Sequence, residues 1–167
     1  MYSKNTKVAI IGCGYWGTNI VKTLISMNIS KIYCYDKSYQ NLKKIKNRFG
    51  RVTLCKDLDL LIKDKNIKIV FISVPTSLIY NYAKIFINNF KNVFLEKPVS
   101  KDENKISKLI ELSKKNKVQI MSGYIYLYND YIEYIKKKIK KKLLGNIKYV
   151  EFNRKNYGPI RDDVSAL

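Results

Sequence analysis

Short apolar runs rich in β-branched residues alternate with helix-patterned segments through most of the chain. That alternation constrains the fold more than any other feature. Lys7–Gly12, Lys31–Tyr35, Val52–Leu54, Ile67–Val74, Asn92–Leu95 and Val118–Met121 read as strands. Tyr15–Met27, Ser38–Phe49, Leu58–Asp64 and Ser77–Phe90 read as helices between them, with a further helix running to Asn116. Parallel neighbours need a crossover, and a helix after every strand supplies one, so the pattern predicts an α/β fold with a doubly wound parallel sheet. Gly50 is placed to stop the second helix. Ser100 followed by Glu103 has the spacing of a capping box. The apolar continuity of Ile67–Val74 predicts a strand buried on both faces.

The pattern changes at Tyr124. Asn129 to Leu144 reads as one helix, with Asp130 and Glu133 near its start and Lys136–Lys142 near its end, an order that complements the helix dipole. Ile132, Ile135, Ile139 and Leu143 share a face, which makes the lysines a solvated face. Gly145 closes the helix, and Ile147–Asn153 alternates like a strand of an antiparallel sheet. The expected organisation is one domain over residues 1–123 and the incomplete beginning of a second over 124–167.

The 167 residues are 46% hydrophobic, ample for a packed core. No apolar run is long enough for a membrane span, and no secretory leader is visible, so no membrane partner and a cytoplasmic location are expected. Three cysteines (Cys13, Cys34, Cys55) lack metal-ligand spacing, and no metal site is expected. Histidine is absent, which excludes a His-based triad, a His metal site and a His general base from this stretch. The net charge of +20 raises the possibility of a nucleic-acid partner. The basic residues are 29 Lys and only 4 Arg, however, and Lys, Ile, Asn and Tyr make up about half the chain. A/T-rich codons produce that mix without a partner, and Arg, the residue of bidentate recognition, is scarce.

Gly12-Cys13-Gly14-Tyr15-Trp16-Gly17 fits G-x-G-x-x-G between a predicted strand and a predicted helix. The first glycine permits a tight turn, the second lets backbone approach a pyrophosphate, and the third lets helix and strand pack closely. The free N–H groups of the helix start then face the phosphates. Asp36 ends the second strand, where a carboxylate accepts hydrogen bonds from an adenosine ribose. Its charge would repel a 2′-phosphate, so NAD is expected over NADP, a preference softened by Lys37. Val74-Pro75-Thr76-Ser77 ends the fourth strand and is expected to line the same cleft; Thr76 and Ser77 equally suit a helix N-cap. Glu96-Lys97-Pro98 ends the fifth strand, as a functional pair or as a surface ion pair.

Together these motifs resemble the glucose-fructose oxidoreductase / inositol dehydrogenase / MocA (Gfo/Idh/MocA) family, over about residues 7–167. The resemblance implies an N-terminal Rossmann domain, a C-terminal α/β domain with a largely antiparallel sheet, and NAD(P)-dependent oxidoreduction of sugars, cyclitols or nucleotide sugars. It implies that Gly12, Gly14, Tyr15, Trp16 and Gly17 hold the pyrophosphate and nicotinamide side. Asp36 and Lys37 would lie at the adenosine ribose. Val74, Thr76 and Ser77 would border the cofactor, and Glu96 would position the nicotinamide ribose. Lys97 would be catalytic, reaching both the nicotinamide and the substrate hydroxyl, and Tyr124, Asn156 and Asp163 would lie on the substrate side. Pro98 is often in a strained or cis setting in the family. Ile79 stands where members often carry histidine. The tail from Arg154 resembles a branch in which the catalytic histidine follows, so that residue is expected beyond Leu167. A homo-oligomer is expected only with the complete second domain. The alternative is a non-catalytic NAD-binding module, which the lack of histidine favours; a nucleic-acid-binding protein is the remote one.

Overall fold

The computed structural model describes residues 6–153 and 155. The chain divides into two compact units, ending and beginning at Tyr124 and Ile125. In the first unit β1 (Lys7–Ile11), β2 (Lys31–Tyr35), β3 (Thr53–Cys55), β4 (Ile67–Ile72), β5 (Asn92–Leu95) and β6 (Ile120–Ser122) form one sheet in the order β3-β2-β1-β4-β5-β6. All five pairings are parallel. The crossovers are α1 (Tyr15–Ser26), α2 (Tyr39–Arg48), α3 (Leu58–Lys63), α4 (Thr76–Asn88) and α5 (Glu103–Lys115). This is the doubly wound sheet that the alternation predicts.

Period-2 alternation splits the apolar side chains of each strand between two cores. Ala9, Ile11, Val70, Ile72, Val93 and Leu95 pack with Ile79, Ala83, Phe86 and Ile87 of α4 and Leu109 of α5. Val8, Ile10, Ile32 and Cys34 pack on the other face with Val21 and Leu24 of α1 and Leu42 and Ile45 of α2. Ile79 is 1% exposed, so at this position the chain has core rather than a polar group.

Five local expectations are corrected. Strand β4 is not buried on both faces: Ile69 and Phe71 are only partly covered, and within this unit they line an apolar groove with Phe94, Met121 and α1. Gly50 does not adopt the left-handed conformation; α2 ends at Arg48, and Lys46 Nζ donates to the carbonyls of Gly50 and Val52 at 2.8 and 2.7 Å. The cap of α5 is Asp102, whose carboxylate accepts from Asn104 N–H at 2.9 Å. Ser100 instead accepts from Asp102 N–H, and the helix starts two residues later than that spacing predicts. In the second unit Ile147–Asn153 forms no strand among the described residues, because alternation alone supplies no hydrogen-bonding neighbour. That unit holds a 3-10 turn (Ile125–Tyr128) and α6 (Asp130–Lys140). Asn129 caps α6 by accepting from the N–H groups of Tyr131 and Ile132 at 3.0 and 3.1 Å. Helix α6 stops short of Leu144, and Lys142 takes a positive φ of 54°.

At the amino-terminal edge of the sheet, Lys7 Nζ donates to Asp64 Oδ2 at 2.9 Å. Burial pushes the Asp64 carboxyl up, but the hydrogen bonds from Lys7 and Asn66 outweigh it and leave it below its usual value. The hydrogen bond to Asp64 raises Lys7 in turn. A carboxylate held low when folded stabilises the fold above its unfolded value of about 3.9, and that contribution fades as pH falls through the folded value. Lys7→Met should therefore melt below the wild type at neutral pH, with the gap closing below about pH 4. An undiminished gap in acid would show that the pair does not set this behaviour.

Candidate functional site

The strand order reverses direction in sequence between β1 and β4, and a doubly wound sheet opens a crevice at the carboxyl ends of those strands. Two loops meet there without space for side chains. A Cβ on Gly12 would stand 2.3 Å from the Ser73 carbonyl oxygen, and Gly12 itself has φ +91°. A Cβ on Gly17 would stand 1.9 Å from the Gly12 carbonyl oxygen. Both glycines are thus fixed by backbone crowding. Gly14 differs: a Cβ there would meet nothing within 4 Å. It is the N-cap of α1, where no side chain bonds the first-turn amides, and the first turn carries no acidic residue. Open space in front of unpaired N–H groups is a ready anion site.

Asp36 ties this loop to β2. Its Oδ2 accepts from Cys13 N–H at 2.6 Å and from Asn41 Nδ2 at 3.2 Å, and its Oδ1 accepts from Ser38 N–H at 2.7 Å. Gly12 N–H donates to the Tyr35 carbonyl at 2.9 Å, so β2 holds the loop at consecutive residues. Behind it, the Cys13 thiol is pushed above its usual range, first by its hydrogen bond with the Cys34 thiol and then by burial. All three cysteines are buried and free.

A cavity of about 220 Å³ lies over these groups. Gly12, Gly14, Asp36, Lys37 and Val74 line it. Thr76 and Ser77 do not; they form the first turn of α4, whose N-cap is Pro75 without a side-chain hydrogen bond, so neither serves as the cap. Tyr15 and Trp16 stand exposed on the first turn of α1, edge to face with ring centroids 5.2 Å apart.

Glu96 and Lys97 follow β5 two strands away. Glu96 N–H donates to the Ile72 carbonyl at 2.9 Å, which holds the segment against β4. Its Oε2 lies 3.4 Å from where a Gly123 Cβ would be, so Gly123 leaves room for the carboxylate. Lys97 is exposed, and the Lys97–Pro98 peptide is cis. Among the described residues no ion pair joins Glu96 to Lys97, so the surface-pair reading of this tripeptide has no support. Tyr124 is about half exposed, while Asn156 and Asp163 lie outside the described residues. No group of three potential metal-ligating side chains occurs among the described residues, and no helix among them is long and apolar enough to cross a membrane.

Sequence reasoning missed Asn41, Tyr35, Leu78 and Tyr82, all of which line the cavity. Asn41 was legible in principle: it lies just inside the helix that follows Asp36, within reach of that carboxylate. The two tyrosines are ordinary strand and helix residues until topology brings them together.

Comparison with known proteins agrees with this geometry. The family model described as "Oxidoreductase family, NAD-binding Rossmann fold" (GFO_IDH_MocA) matches residues 6–124. A curated relative, myo-inositol 2-dehydrogenase of Thermotoga maritima, is 24% identical over 140 residues, 83% of this chain and 42% of its own. The 2,7-anhydro-N-acetylneuraminate hydratase of Escherichia coli is 26% identical over 139 residues, 83% of this chain and 37% of its own. Among solved structures, myo-inositol 2-dehydrogenase from Lactobacillus plantarum superposes with a TM-score of 0.74 at 27% identity, covering 85% of this chain and 43% of that one. A 3-ketoreductase from Actinomadura kijaniata, in complex with NADP and TDP-benzene, has a TM-score of 0.72 at 16% identity over 82% of this chain and 42% of that one, a likeness of fold alone. The chain spans less than half the length of each of these proteins. With the glycine loop, the switch-point crevice and the match over residues 6–124 in agreement, the chain belongs to the Gfo/Idh/MocA oxidoreductase family and carries its NAD(P)-binding Rossmann fold.

Proposed function

We propose that this chain is the cofactor-binding domain of an NAD-dependent dehydrogenase acting on a ring hydroxyl of a sugar, cyclitol or nucleotide sugar. The observation that carries the reading is the contrast among the glycines: two are crowded by backbone, and the third faces open space beside Asp36. The first-turn amides of α1 would take the pyrophosphate. Asp36 would accept from the adenosine ribose diol with the lone-pair capacity that its three present donors leave free. A fixed negative charge there disfavours a 2′-phosphate, which supports NAD over NADP, with Lys37 as a partial counterweight. Val74 would wall the base, and Thr76, Ser77, Tyr15 and Trp16 would border the dinucleotide.

Bound NAD supplies a hydride acceptor. Glu96 would hold the nicotinamide ribose, and Lys97, exposed at the same sheet edge, would donate a hydrogen bond that orients and polarises the substrate hydroxyl. Tyr124, Asn156 and Asp163 would contribute to the substrate side. Alcohol oxidation also needs an acceptor for the hydroxyl proton. The 167 residues contain no histidine, so a histidine base of the kind that the family resemblance implies would come from outside them. We place residues 1–123 in the cofactor domain and 124–167 at the start of the substrate domain, with oligomerisation dependent on the rest of that domain.

Calorimetric titration with NAD and NADP tests the reading. Saturable binding with NAD tighter than NADP is expected, and a folded chain that binds neither nucleotide overturns it. In a protein that carries the second domain as well, substrate-dependent NADH formation from one of these compound classes is expected, with Lys97→Ala reducing kcat.

A further inference from the structure

Two phenols share the wall of the Asp36 cavity. Tyr35 is the last residue of β2, and Tyr82 lies in the second turn of α4. Both pack against the same core and line the same cavity. Tyr82 is 8% exposed, so its ring is held in place. Its ionisation is pushed up by burial first, and then by the Tyr35 phenol and the Asp36 carboxylate beside it. The hydroxyls of Tyr35 and Tyr82 are therefore neighbours, and the carboxylate is close by.

Packing does not call for either hydroxyl. Phenylalanine would fill the same volume, and two hydroxyls that partner each other still keep donor or acceptor capacity for a ligand. Ile11, Val74, Pro75 and Leu78 form the apolar part of the wall, and Lys37, Asn41 and Ser73 join Asp36 in its polar part. A carboxylate at one position, apolar walls, and a pair of groups that both donate and accept make a site with a definite complement. That complement is a flat heteroaromatic base with a polar edge, joined to a vicinal diol.

We infer that Tyr35 and Tyr82 read the hydrogen-bonding edge of the adenine base, and so determine which base this cleft accepts. One phenol donates to a ring nitrogen, and the other accepts from the exocyclic amine. The inference rests on the dinucleotide reading above and deepens it.

The test compares NAD with its 1,N6-ethenoadenine analogue, in which that edge is blocked, on the wild type and on Tyr35→Phe and Tyr82→Phe. Thermal melts accompany the titrations, so that a variant that fails to fold is recognised and the other is used. The wild type is expected to bind NAD about fivefold to tenfold more tightly than the etheno analogue, the worth of one or two hydrogen bonds. Each Phe variant should narrow that ratio to about twofold or less by weakening NAD alone. If the variants weaken both ligands equally, or bind NAD as the wild type does, the tyrosines are structural and the inference falls while the dinucleotide reading stands. A wild type that binds neither NAD nor ADP-ribose removes both.

Discussion

Gly17→Ala should cost the chain both its stability and its dinucleotide affinity, whereas Gly14→Ala should cost the affinity alone. An alanine Cβ at residue 17 would sit 1.9 Å from the Gly12 carbonyl oxygen and 2.9 Å from the Gly12 carbonyl carbon. These are backbone atoms, so no rotamer change relieves the overlap. Helix α1 must move away from β1, which disturbs the packing of Val21 and Leu24 against Val8 and Ile10. A displacement of that kind costs about 3 kcal/mol, at the upper end of overpacking. For a domain of this size the melting temperature should fall by roughly 10 °C. At Gly14 the added methyl meets nothing, so the fold should hold within about 0.5 kcal/mol. It would nevertheless occupy the space in front of the α1 amides, and NAD affinity should fall about tenfold or more, which is 1.4 kcal/mol or above. Calorimetric melts and NAD titrations of both variants decide the matter. A Gly17→Ala protein that melts like the wild type would refute the close-packing role, and a Gly14→Ala protein with wild-type affinity would refute the pyrophosphate role.

The same contrast shows what can be read before folding. The motif names three glycines, but only the structure separates the two fixed by neighbouring backbone from the one that faces space, because Ser73 approaches Gly12 across 61 residues of chain. Strands and crossovers were legible because period-2 and period-3.6 patterns are local, and Asp36 because it ends a strand at a fixed place in the motif. What failed depended on neighbours. The alternation at Ile147–Asn153 has no pairing strand among the described residues, and Ser100 lost the cap to Asp102, which is two residues closer to the helix. Ile69 and Phe71 look like a two-sided core in sequence, yet within the first unit they are only partly covered and line a groove beside α1. Tyr35, Asn41 and Tyr82 reach one cavity only because β1 stands between β2 and β4.

Asp36→Ala should weaken NAD binding about a hundredfold and nearly abolish the preference for NAD over NADP. The carboxylate has two tasks, and their magnitudes separate them. It accepts from two backbone N–H groups and from Asn41, so its removal frees Cys13, the residue between Gly12 and Gly14, from β2. Hydrogen bonds to a charged group contribute about 1.5–3 kcal/mol each. Loosening the loop raises the cost of binding either dinucleotide, because both need the same α1 amides. The second task falls on NAD alone, since only its ribose offers a free 2′-hydroxyl to the carboxylate, while the 2′-phosphate of NADP is repelled by it. The variant should therefore lose NAD affinity through both effects. For NADP the loss of order is offset by the loss of repulsion, and Lys37, which lines the same cavity, is left as the nearest charge. Asp36→Asn gives the control, because it can still accept from Cys13 N–H without carrying charge. If Asp36→Asn keeps the loop melting normally yet loses the nucleotide preference, charge sets the selectivity and hydrogen bonding sets the order. If both variants bind NAD and NADP in the wild-type ratio, the carboxylate serves only as a loop anchor, and the discrimination between the two cofactors must come from elsewhere in the cleft.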